Sequence, residues 1–184
     1  MSSRRLARIA GLLYLLNIAI GITALVWQRQ GRAAAADWMT LAGAVEYALV
    51  VVLLGRLFEP AGRALSWTVA AVGLIACAVS AGVPLHLYAP PGNIVMVFGP
   101  YCIGLGIVVV RSGMMPRIVG ALLVLAGISW LTFAFPDLSH RLAPWNTAAG
   151  AIPEVLFTLW LLVFGVRQPP AEVVGRPIAT APAG

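Results

Sequence analysis

The sequence predicts an all-α, polytopic integral membrane bundle of six transmembrane helices, and three observations lead there. Hydrophobic residues make up 61% of the 184 residues and charged residues only 10%, against roughly 45–50% and 25% in soluble domains. The apolar residues gather into runs close to the about 20 residues that cross a hydrocarbon core of about 30 Å. The basic residues fall almost entirely between those runs. A soluble domain of this length has too little interior for such an apolar excess.

The six runs are 7–27, 41–58, 65–87, 94–110, 116–135 and 148–166. The first follows Arg4, Arg5 and Arg8 and resembles the start of a secretory signal, with Ala33, Ala34 and Ala35 as a cleavage site. Its apolar core exceeds the usual 7–15 residues or so, so an uncleaved signal-anchor helix is expected. Trp27, Trp67, Tyr88 and Trp145 stand near run ends, where amphipathic rings favour the interface. The fourth run is short and interrupted by Gly99, Pro100, Gly104 and Gly106. Together these form one membrane domain over 1–167, and the proline-rich stretch 168–184, without apolar period, reads as a disordered tail.

All twelve basic residues are arginine, giving a net charge of +6. Nine lie on the side of the two termini (Arg4, Arg5, Arg8, Arg56, Arg63, Arg111, Arg117, Arg167, Arg176) and three opposite (Arg29, Arg32, Arg141). The positive-inside tendency then makes both termini cytoplasmic, in a plasma (inner) membrane. The same distribution argues against nucleic acid as a partner. Cys77 and Cys102 lie within apolar runs and suggest neither a zinc site nor a disulfide. No metal or cofactor is expected.

Carboxylates at membrane depth cost at least about 2.5–3.5 kcal/mol and are kept only where they face a partner, the bundle interior or a cavity. Glu46 and Glu154 are such residues, about 9 and 13 Å below the outer surface at about 1.5 Å per residue. Similar counting places Tyr101, Trp130 and Asn17 at comparable depth, with His86 near the interface and Trp160 further along the last run. Pro84, Pro100 and Pro153, close to His86, Tyr101 and Glu154, are expected to kink their helices and open space between them. The expected site is therefore an outer-half cavity with Glu46 and Glu154 catalytic and Asn17, His86, Tyr101, Trp130 and Trp160 around the substrate. The competing reading of each is structural: a carboxyl or amide as interhelical glue, an indole as packing.

Three pieces of the chain carry a resemblance. Tyr101-Cys-Ile-Gly-Leu-Gly-Ile-Val-Val-Val-Arg-Ser-Gly-Met-Met-Pro-Arg-Ile-Val-Gly-Ala-Leu-Leu-Val-Leu-Ala-Gly, the opening Arg8-Ile-Ala-Gly-Leu-Leu-Tyr-Leu-Leu and the closing Pro153-Glu-Val-Leu-Phe-Thr-Leu-Trp-Leu-Leu-Val-Phe-Gly-Val are similar to an uncharacterised family of bacterial multi-pass membrane proteins. The resemblance implies the multi-span topology and no activity.

Three functions fit these residues. The first is an intramembrane acid/base enzyme, a cyclase or isomerase acting on a hydrophobic isoprenoid-like molecule from the membrane lipid; paired acids among aromatics are similar in kind to the sites of membrane terpene cyclases and sterol isomerases. The second is a noncatalytic structural or regulatory protein. Its small residues Ala70, Gly73, Gly104, Gly106, Gly120 and Gly127 would let helices approach within one chain or between copies in a homo-oligomer. The third is a proton-linked small-solute transporter, which would need a polar path through an aliphatic cytoplasmic half.

Overall fold

The computed structural model describes residues 2–90 and 93–167, so the tail expected over 168–184 lies outside the described residues. The described residues form seven α-helices: α1 (Ser3–Arg29), α2 (Ala33–Leu57), α3 (Arg63–Gly82), α4 (Gly99–Ser112), α5 (Arg117–Leu131), α6 (Pro136–Leu142) and α7 (Trp145–Val163). Short 3-10 turns at Glu59–Ala61, Ile94–Phe98 and Thr132–Ala134 join or extend them. Six helical segments are long and apolar enough to cross a membrane, the fourth being the 3-10 turn and α4 together, Ile94–Ser112. α6 is a short helix between the fifth and sixth crossings.

Successive spans pack side by side and α7 returns against both α5 and α1, closing the bundle into a ring. Small residues make the closest contact. A methyl group on Gly106 would stand 2.5 Å from the Gly120 carbonyl oxygen, and one on Gly127 would stand 2.5 Å from that of Gly99. α4 and α5 thus touch backbone to backbone at two levels, the interhelical use of glycine that a bilayer favours. Inside the ring the centre is filled by Tyr14, Tyr101, Phe157, Leu54, Leu123 and Leu161, each 1% exposed or less. Outside it, every span presents large apolar side chains, among them Leu12, Val45, Ile75, Ile107, Ile118 and Ile152. That outward apolar surface is what an integral membrane protein turns to lipid and what a soluble protein avoids.

Two of the three proline expectations need correction. α3 stops at Gly82, and Val83–Leu87 form a turn, so Pro84 follows the helix instead of kinking it. Pro100 occupies the first turn of α4, where its missing N–H has no intrahelical partner to lose. The Met96 carbonyl, four residues before Pro100, accepts from the Gly99 amide. Pro153 alone of the three lies inside a helix, α7.

Candidate functional site

α7 sets Glu154 one residue after that internal proline, facing α1, α4 and α5. Its carboxylate receives three donors from three different helices. The Trp130 indole N–H of α5 donates to Oε1 at 2.6 Å, the Cys102 thiol of α4 donates to the same oxygen at 3.4 Å, and the Tyr14 hydroxyl of α1 donates to Oε2 at 3.1 Å. The Tyr47 hydroxyl of α2 donates in turn to that of Tyr14 at 2.9 Å. One acidic side chain therefore joins α7 to α1, α4 and α5 directly and to α2 through a phenol.

Aromatic rings surround this chain of hydrogen bonds. Tyr14 meets Tyr47 edge-on at a centroid distance of 5.2 Å and Phe157 at 6.1 Å, while Tyr47 meets Phe98 at 5.4 Å and Tyr101 at 6.0 Å. These are the edge-to-face separations at which aromatic pairs attract. Gly150, one turn before Glu154 on α7, leaves the space that the Trp130 ring occupies; a methyl group there would come within 2.6 Å of the indole. A cavity of about 10 Å³, lined by Val51, Leu54, Gly55 and Tyr101 among others, has room for about one water.

Glu46 has different surroundings. Its two carboxyl oxygens are buried and make no hydrogen bond, and the Tyr101 hydroxyl shares that condition. Cys77 of α3 lies within electrostatic reach of it. The Asn17 amide donates to the Gly43 carbonyl at 2.9 Å, binding α1 to α2 as packing asparagines do. Glu46 and Glu154 share no hydrogen-bond partner and no hydrogen bond joins them.

The other expected residues separate. Trp130 belongs to the Glu154 cluster, and Tyr101 reaches it only through ring contact with Tyr47. His86 lies in the turn beyond α3, with a left-handed backbone at φ 55 and a side chain 83% exposed, 3.8 Å from Asp37. Trp160 stacks on Phe164 at 4.5 Å, toward the far end of α7. Among the described residues no three His, Cys, Asp or Glu side chains gather as a metal site would require.

Tyr14, Tyr47 and Cys102 are the members that sequence reasoning did not single out for the site. A faint signal existed: Tyr14 lies three residues before Asn17, and Tyr47 follows Glu46 directly. A second polar knot was also missed. Buried Asn146, at the start of α7, donates to the Ser139 hydroxyl at 3.2 Å, and its carbonyl accepts from Ser129 of α5.

Three members of the Glu154 hydrogen-bond cluster sit on the part of the chain that a family comparison matches. Residues 92–165 match DUF4386, a domain of unknown function. The match covers less than half of the chain and is to an uncharacterised family, as the sequence pattern suggested. No curated protein and no solved structure matches the chain. The matched stretch carries Cys102, Trp130 and Glu154 together with Tyr101, whereas Tyr14 and Tyr47 lie outside it. The Glu154 cluster is thus closed by the first two helices onto the stretch similar to DUF4386.

Proposed function

We propose that the protein is a noncatalytic multi-pass membrane protein that works through its outer faces, with Glu154 as the polar lock of a close-packed bundle. The observation that carries this reading is the saturation of Glu154: its two oxygens are taken by Trp130, Cys102 and Tyr14, and aromatic rings fill the space beside them. A carboxyl held in this way satisfies donors from three helices that would otherwise be stranded in an apolar layer. That no hydrogen bond and no shared hydrogen-bond partner joins Glu46 to Glu154 favours this reading over a paired acid and base. The arginine-rich end supports the placement of both termini in the cytoplasm, across a plasma membrane.

A second reading keeps the enzyme. The Tyr47–Tyr14–Glu154 hydrogen-bond chain has the form of a proton relay, and rings of Tyr14, Tyr47, Tyr101, Phe98 and Phe157 around an acid suit a hydrophobic, isoprenoid-like substrate whose developing cation they would stabilise. Transport has weaker support, because Val50, Leu54, Phe58, Val108, Val109 and Leu161 fill the cytoplasmic half at 2% exposure or less.

Isoprenoid extracts of cells lacking the protein, expressing it, and expressing Glu154→Gln separate the two readings. Identical profiles in all three are expected for the noncatalytic protein. A product that appears with the native chain and is lost, by about 10²–10⁴-fold in rate, with Glu154→Gln would replace it with the enzyme.

A further inference from the structure

The end of the bundle where α1 starts and α7 finishes is strongly basic. Arg4, Arg5 and Arg8 lie on the first turns of α1, Arg56 closes α2, Arg63 opens α3, Arg111 closes α4, Arg117 opens α5 and Arg167 follows α7. Among the described residues the acidic side chain at this end is Glu59, and it is occupied by Arg63 at 3.1 Å. Within this face opens a cleft of about 340 Å³, lined by Ser2, Ser3, Arg4, Val166 and Arg167. Ligand pockets begin at about that size.

The cleft is built on fixed backbone. The Arg167 amide donates to the Met114 carbonyl at 2.9 Å, tying this wall to the α4–α5 loop, and Val166 is 3% exposed. On the opposite wall the stem of Arg4 crosses Gly165, its Cγ 3.7 Å from where a methyl group would stand. Neither Arg4 nor Arg167 has a carboxylate within ion-pair distance among the described residues. Two arginines and two serines lining one small volume suit a phosphate, which arginine grips bidentately. At the margin of a lipid-facing bundle the phosphate present at high density is that of the bilayer itself, and basic pockets between spans suit anionic headgroups.

We propose that the cleft between Ser2–Arg4 and Val166–Arg167 is a headgroup site for an anionic phospholipid. It stands apart from Glu154 and holds whether or not the protein is an enzyme. The test is native mass spectrometry of the full chain released from nanodiscs of phosphatidylcholine mixed with phosphatidylglycerol. The native protein should retain phosphatidylglycerol in preference to phosphatidylcholine. Arg4→Gln with Arg167→Gln should weaken that retention by about tenfold or more, and Arg29→Gln with Arg32→Gln, an equal loss of charge at the other end, should leave it unchanged. Both cleft arginines are exposed, so the bundle should keep its helicity by circular dichroism. Equal loss in the two double variants would overturn the proposal, as would displacement of the lipid by inorganic phosphate at matched concentration, which would make the ligand a soluble phosphate.

Discussion

Glu46 and Glu154 show how little a residue type says without its partners. Both are carboxyls on membrane-spanning helices, yet one accepts from three donors and the other has the Asn17 amide beside it without forming a hydrogen bond. A buried polar group without partners costs stability, whereas one with satisfied neighbours strands them when it is removed. Glu46→Met should therefore leave the thermal midpoint in detergent unchanged or raise it. A fall in the midpoint would show that the Asn17 amide beside it holds Glu46 in place. Gly150 makes the complementary case: Gly150→Ala adds one methyl group within 2.6 Å of the Trp130 ring. It should shift the indole off Oε1, lower the thermal midpoint and change tryptophan fluorescence, at a cost of about 1–3 kcal/mol typical of overpacking. Unchanged emission and stability would show that the indole has room to move.

At the scale of helices, six crossings were legible because membrane thickness sets a length that apolar runs must meet. The ends were less so. The third run was read to Leu87, but Pro84 and the residues after it are apolar enough to pass for helix while forming a turn. The fourth run, 94–110, is short in sequence, but Ile94–Phe98 wind as a 3-10 turn with a greater rise per residue and α4 continues to Ser112, which lengthens the crossing. Counting depth puts Glu154 and Trp130 in one layer, where they hydrogen-bond, since rise per residue is the same on every helix. It could not reveal which residues share a face, because spans apolar on all sides have no strong moment to orient them. Hence Tyr14 and Tyr47 went unremarked while His86 and Trp160, at suitable positions in sequence, point elsewhere. The small residues were read well, and they support a further expectation: Gly120→Val would drive its side chain into the Gly106 backbone, from which even a methyl group would lie 2.6 Å. Separation of α4 from α5 should follow, seen as loss of crosslinking between cysteines placed along the two helices; retained crosslinking would place the closest contact elsewhere.

For the whole molecule, the ring of spans closes where α7 meets α1, and Glu154 is the side chain that hydrogen-bonds across that closure to Tyr14. The first two helices are thereby fastened to the stretch similar to DUF4386. If this lock is the role of Glu154, shape and hydrogen bonding matter there more than charge. Unfolding of the native protein, Glu154→Gln and Glu154→Leu in the same detergent measures this directly. The Gln variant keeps one carbonyl oxygen to accept from the Trp130 indole and turns an amide N–H toward the Tyr14 hydroxyl, which then accepts, so it should remain close to the native protein. The Leu variant, which strands the indole, the thiol and the phenol, should lose about 1–3 kcal/mol. A Leu variant as stable as the native protein would contradict the lock.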